Sequence, residues 1–170
     1  MRTDIATLED APGIAAAHIR SWREAYATIL DANFLAGLSI ETRAEKWREI
    51  LAKKESETWV VRSGSEVLGF ISYGSCRDAG ASTSQGEIWA LYVDPSAWGK
   101  KVGLALTRHA IDRQRELGRT AVSLWVLSEN TRGIRFYESM GFARVQGSEQ
   151  FFELGGRQVQ EVQYLLRDGA

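Results

Sequence analysis

The stretch Glu87–Leu117, EIWALYVDPSAWGKKVGLALTRHAIDRQREL, constrains this chain more than any other. Its apolar run Ile88–Val93 has the composition of a strand and is stopped at Asp94-Pro95. A short glycine-containing segment, Trp98–Gly103, follows. A helical pattern then sets in, with Val102, Ala105, Leu106, Ala110, Ile111 and Leu117 on its apolar face. The unit is strand, compact loop, helix. The first N–H groups of a helix have no intrahelical partner, so the loop amides and the helix start form a place for an anion.

Composition narrows the classes. A chain of 170 residues can bury one sizeable core and is short for two domains. Lys and Arg number 21 against 22 Asp and Glu, so the formal net charge is -1, and nothing in that balance calls for a nucleic-acid partner. A single cysteine, Cys76, excludes an intrachain disulfide, and with only His18 and His109 as histidines no metal site is expected. No run is long and apolar enough to span a bilayer, and MRTDIATLED lacks a signal-peptide core, so a cytoplasmic protein without membrane partners is expected. Two other nucleotide loops are a poor match. A Walker loop ends Gly-Lys-Ser/Thr, whereas Gly99-Lys100-Lys101 lacks the hydroxyl, and the dinucleotide glycine pattern is absent.

The central unit has a sequel. A second strand pattern, Ala121–Leu127, leads to Glu129-Asn130, then to a short amphipathic helix with Gly133, Phe136 and Tyr137, closed by Gly141-Phe142. From Glu87 to Phe142 the chain resembles the GNAT superfamily of acyl-CoA-dependent N-acetyltransferases. The resemblance implies one GNAT-like domain over residues 1–170: a mixed α/β, strongly twisted, mostly antiparallel sheet of seven strands flanked by helices. Glu87–Val93 and Ala121–Leu127 would be parallel neighbours that diverge toward their C-terminal ends. A bulge in the central strand would expose an amide for the thioester oxygen.

The remaining segments suit that plan. Residues 2–6 read as a short first strand, and Thr7 or Asp10 as the cap of a helix running through Trp22 to Tyr26. Further helices are expected over 31–38 and 42–53, separated near Gly37. Thr58–Arg62 and Val67–Ser75, joined by Ser63-Gly64-Ser65, read as a hairpin; Gly69 and Gly74 mark twist, bulge or close approach. A final hairpin is expected from Phe142–Phe152 and Gln158–Leu166 around Gly155-Gly156.

By the same resemblance, coenzyme A would lay its pyrophosphate at Trp98, Gly99, Lys100, Lys101, Val102, Gly103 and Leu104. Leu91 and Val93 would meet its pantetheine through their backbones, and Asn130 and Tyr137 would lie beside it. The loop departs from the family's pattern of Arg or Gln, two residues, Gly, one residue, Gly or Ala. With Gly103 on the last position, Trp98 stands at the first and Lys101 on the middle glycine. Converging N–H groups survive a lysine; close approach of phosphate is what glycine ordinarily secures.

The reaction implied is transfer of acetyl from acetyl-CoA, as co-substrate, to an amine acceptor by direct attack. Tyr137 would supply a proton or hydrogen bond to the departing sulfur. Glu87, eleven residues before Trp98, would be the general base, and Glu161 could instead meet the acceptor ammonium. Trp22, Tyr26 and Phe151 would flank the acceptor: a small amine, an amino acid, or a peptide or protein N-terminus. A homodimer through the terminal hairpin is a further expectation. The competing reading is a non-catalytic acyl-CoA-binding or regulatory protein, and behind it a structural domain that keeps only the fold.

Overall fold

The computed structural model describes residues 2–167, which leaves the ends of the expected 1–170 domain outside the described residues. In chain order the elements are β1 (Thr3–Ile5), α1 (Ala11–Ala25), α2 (Ala32–Ala36), α3 (Ile40–Lys53), β2 (Glu57–Ser63), β3 (Glu66–Ser75), β4 (Gln85–Val93), α4 (Val102–Glu116), β5 (Ala121–Leu127), α5 (Thr131–Ser139), β6 (Ala143–Arg144), β7 (Gln150–Leu154) and β8 (Arg157–Arg167). Short 3-10 turns, Leu8–Asp10 and Pro95–Ala97, introduce α1 and follow β4.

The sheet runs β1-β2-β3-β4-β5-β8-β6, with β7 also on β8. Among the described residues it has eight strands, not the seven expected. The first arm of the final hairpin is split: β7 and β6 occupy successive parts of β8, at Arg157–Glu161 and Tyr164–Leu165. Between them Gly147 takes a left-handed turn (φ 73°), and the Gln163 amide is claimed by Ser148 Oγ at 3.0 Å instead of a ladder carbonyl.

Helices cover both faces. On one, Val102, Leu106, Ala110 and Ile111 of α4 pack on Val61, Ile71, Ile88, Val122 and Leu124. Leu106 is fully buried, so its truncation to Ala would cost about 2–5 kcal/mol. On the other, Ile14, Ala15 and Ala17 of α1 meet Ala44 and Trp47 of α3 over Val60 and Phe70. Ser39 starts α3 by accepting the Thr42 amide at 3.1 Å, and Asp31 caps α2 in the same way, which separates the two helices near Gly37 as their sequences predict.

The feature that makes a site is the failure of two strands to stay paired. β4 and β5, the one parallel pair among the described residues, are in register only over Gln85–Ile88 and Ala121–Leu124. Ser72 faces Ala90 and Tyr73 faces Ile88, so Trp89 is a bulged residue, and a bulge bends and twists its strand. Its indole lies across β3, where Nε1 donates to the Ser75 carbonyl at 3.1 Å. A Cβ on Gly74 would come within 2.9 Å of that ring, so Gly74 is the close-approach glycine that seats it. Beyond the bulge β4 and β5 part.

Candidate active site

The gap between the strands opens into a cleft of about 730 Å³. One end is made by the β4–α4 loop and α5, the other by α1, β7 and β8.

At the first end, Trp98 Nε1 donates to the Val93 carbonyl at 2.9 Å and ties the loop to the end of β4. Gly99 (φ 76°) and Lys101 (φ 64°) are both left-handed. Lys101 thus holds the conformation that the family's middle glycine adopts freely, at a cost of roughly 1–2 kcal/mol. It is also the residue preceding α4, and its side chain offers no cap, so the first amides of α4 are left for an outside acceptor. A Cβ on Gly103 would come no closer than 3.6 Å to Phe136 and Val93, which is ordinary contact, so its described neighbours do not demand glycine, and Gly103 lines the cleft. These features fit a pyrophosphate. Arg132 lies 3.7 Å above the Trp98 ring and brings a cation to the loop that lacks the usual arginine. Sequence reasoning missed Arg132 because it belongs to α5. Asn130 caps that helix, accepting the Gly133 amide at 3.0 Å, while also lining the cleft. Lys100 is exposed and does not line it.

Leu91, Val93, Tyr92, Leu124 and Val126 form the middle. Tyr137 is half-buried on the cleft wall, in edge contact with Phe136 and Phe142. Burial pushes its phenol well above the ordinary tyrosine range, with the neighbouring Tyr92 adding to the effect, so the hydroxyl keeps its proton.

The second end is built from side chains. Trp22 and Tyr26 line it, in edge contact at 5.4 Å between rings, together with Ser21, Phe152, Leu154, Arg77 and Glu161. Phe151 does not: it is 63% exposed on β7, and its neighbour Phe152 turns to the cleft. Glu87 is 1% exposed and does not line the cleft. Its Oε2 accepts the Arg77 amide at 2.8 Å, while Oε1 accepts Arg77 Nε at 3.1 Å and Nη2. Arg77 in turn lies over the Trp89 ring at 4.7 Å and reaches the cleft surface. Glu161 is the carboxylate that lines the cleft. Burial raises its pKa first of all; Arg77 opposes that shift, whereas Glu87 and Asp78 reinforce it.

Ligand atoms of Cys76, Asp78 and Glu87 lie within 4.8 Å of one another. Their neighbours already answer them. Asp78 accepts Trp125 Nε1 at 3.1 Å and Gln163 Nε2, Cys76 Sγ donates to Asp78, and the Arg77 guanidinium pairs with Glu87. That donor set serves a cation which the chain itself supplies.

Three relatives carry the comparison. Along 158 residues the chain is 28% identical to an uncharacterized N-acetyltransferase of Bacillus subtilis, YuaI, covering 92% of this chain and 87% of that protein. It is 33% identical over 144 residues to the mycothiol acetyltransferase of Sanguibacter keddieii, covering 79% of this chain but only 45% of the relative. Its fold matches the crystal structure of the PaiA N-acetyltransferase of Thermoplasma acidophilum in complex with coenzyme A, with TM-score 0.73 and 21% identity over 95% of this chain and 98% of that one. Residues 19–142 match the acetyltransferase (GNAT) family, and with the splayed strands and the open α4 start the conclusion follows: this chain belongs to the GNAT family of acetyltransferases, which move acetyl from acetyl-CoA to an amine acceptor.

Proposed function

We propose that the protein N-acetylates a small primary amine by direct attack, with Glu161 as the general base and Tyr137 as the proton donor to sulfur. The observation that carries this is the arrangement of the cleft, whose pyrophosphate-fitting end and aromatic end meet at the Trp89 bulge. Acetyl-CoA supplies the acetyl group and the thiol leaving group. Gly99, Lys101 to Leu104 and Arg132 hold its phosphates, and the β4 edge near Leu91 and Val93 holds its pantetheine.

The incoming ammonium must lose a proton before its nitrogen can bond to the acetyl carbon. Glu161 sits on the cleft surface with a raised pKa, poised to take it. Glu87, buried and gripped by Arg77, instead fixes that guanidinium beside Glu161 and so tunes the base. As the C–S bond breaks, the departing sulfur needs a proton, and the Tyr137 hydroxyl has one to give.

The walls of the aromatic end, Trp22, Tyr26 and Phe152, suit a small acceptor rather than a protein tail. No helix among the described residues is long and apolar enough to cross a membrane. A lone cysteine needs no oxidising compartment, which supports work in the cytoplasm. The free edge of β7, with Phe151 exposed, supports pairing of two copies.

A broad screen of amines, read by release of free thiol from acetyl-CoA, tests the reading. Amine-dependent release is expected. Tight CoA binding with no release for any amine would favour a non-catalytic binding protein.

A further inference from the structure

A second cavity, of about 320 Å³, lies between α1, α3 and the sheet. It shares Arg77, Trp89 and Ala90 with the main cleft, so the two adjoin at the bulge. Its size lies at the lower end of what small-molecule sites use. The polar groups in it are unusual for a packed interior.

His18 is 7% exposed and lines this cavity. Trp47 Nε1 donates to its Nδ1 at 3.2 Å. An indole nitrogen can only donate, so Nδ1 is the acceptor and the imidazole proton stands on Nε2. That Nε2 has no hydrogen-bond partner among the described residues. Burial, and then the nearby Arg43 charge, push the His18 pKa down to about 3, so the ring stays neutral and remains a donor. Tyr92 stacks on it at 4.3 Å and holds it in place. Native interiors rarely leave a buried donor such as this Nε2–H unanswered.

The charges point the same way. Arg43, Lys46, Lys53 and Arg77 line the cavity against one carboxylate, Glu55. Lys46 is paired with Glu49 at 3.3 Å and Arg77 with Glu87. Arg43 has no carboxylate partner among the described residues; its guanidinium carbon stands 5.8 Å from the centre of the Trp22 ring. A half-buried guanidinium and the buried His18 N–H thus belong to one cavity, with no carboxylate or hydrogen-bond acceptor for either among the described residues.

We propose that this cavity is an oxyanion subsite for the acceptor: the substrate is a small amine that also carries a carboxylate or equivalent acid group, which pairs with Arg43 and accepts the Nε2–H of His18. The inference rests on the acetyltransferase reading and names the class of its acceptor. The amine then extends toward Glu161 while the acid is anchored beyond the bulge. Guanidinium suits this task because its planar fork can bind a carboxylate in two places.

Two measurements test it. In the first, acid-bearing amines are compared with their neutral twins, an amino acid against its amide, by kcat/KM for thiol release. The acid is expected to win by about ten- to hundredfold, the worth of one charge-assisted hydrogen bond. In Arg43→Gln that ratio should fall to near one, and in Arg43→Lys to an intermediate value, with coenzyme A affinity by calorimetry reporting that each variant is folded. Equal kcat/KM for acid and amide in the wild type would overturn the proposal even if acetyl transfer is brisk.

The second measurement needs no turnover. Protein labelled with 15N-histidine is titrated with N-acetylglycine, N-acetylglycinamide and inorganic phosphate while the His18 Nε2–H resonance is followed. The acid should shift it and the amide should not, with the shift lost in Arg43→Gln. A shift from N-acetylglycine, without thiol release from any amine, would sustain the subsite and sink the transferase reading instead. No shift from N-acetylglycine, or a shift from phosphate alone, would overturn the acceptor subsite.

Discussion

The two ends of the cleft are made of different material. The end at α4 is largely backbone: left-handed turns at Gly99 and Lys101, uncapped amides, and a glycine whose missing side chain leaves room. The end at α1 is side chain: Trp22, Tyr26, Arg77, Glu161, and behind them His18 and Arg43. Backbone can recognise a phosphate in any member of a family that keeps the turn, so that end tolerates Trp98 and Lys101 where other residues are usual. Side chains must be placed one at a time by elements distant in sequence, so that end can differ between relatives, and on the proposed function it chooses the acceptor. The contrast can be broken or sharpened by mutation.

The largest effect is expected where the ends meet. Removing only the hydroxyl of Tyr137, as Tyr137→Phe, should lower turnover by roughly ten- to ten-thousandfold while calorimetry finds coenzyme A affinity little changed. Wild-type turnover at saturating substrates, under conditions where chemistry limits the rate, would remove its role.

Glu161→Gln should cost about a hundredfold in turnover. It should also abolish the acid limb of the pH–rate profile, since a base with a raised pKa is lost as pH falls through that pKa. Glu87→Gln is the comparison. If Glu87 only holds Arg77, its variant keeps an acid limb, moved because the Arg77 charge beside Glu161 is no longer fixed. Should Glu87→Gln abolish the limb and Glu161→Gln leave it intact, the base is Glu87.

Burial of neutral His18 links the α1 end to pH. Its folded pKa, about 3, lies below the usual 6.5, so the unfolded chain binds the extra proton in between. Stability should therefore fall as pH drops from 6.5 toward 3, by up to about 1.4 kcal/mol per unit from this one group. Urea unfolding of wild type and His18→Gln across that window checks it, the variant having the shallower slope. Equal slopes would mean that His18 titrates normally.

At the α4 end the effects should be smaller and confined to coenzyme A. Gly103→Val adds a Cβ in ordinary contact with Phe136 and Val93 on the wall of the cleft, so the fold should survive and coenzyme A affinity should weaken at least about tenfold. Unchanged affinity would move the pyrophosphate elsewhere. The smallest effect is expected from Lys101→Gly, which relieves a left-handed lysine. Thermal unfolding should show a gain of no more than about 1 kcal/mol, because the relief is partly offset by glycine's freedom in the unfolded chain. A clear loss of stability would show that the lysine side chain supports the loop.

The sequence by itself determined the local units. Apolar runs ended by Asp94-Pro95, the glycines at 99 and 103, the Ser39 and Asn130 caps and the helical stripe of α4 are all set by neighbours within a few residues, and those are the forces that composition and spacing express. That β4 and β5 lie parallel followed from the strand–loop–helix order, because the chain has to cross back over the sheet, whereas their divergence was implied by the family resemblance and is made by the Trp89 bulge. What only the tertiary structure decided depends on residues brought together across the fold. The family resemblance implied Glu87 as the base, yet Arg77 closes over it; Phe151 and Phe152 differ only by the alternation of a strand whose register is set by β8. Arg132 reaches Trp98 from another element, and His18 is left with an open donor because Trp47, twenty-nine residues on, takes its other nitrogen. Local chemistry fixes where the backbone can turn and bind. Long-range packing fixes which side chains remain unanswered, and on the proposed reading those side chains select the acceptor.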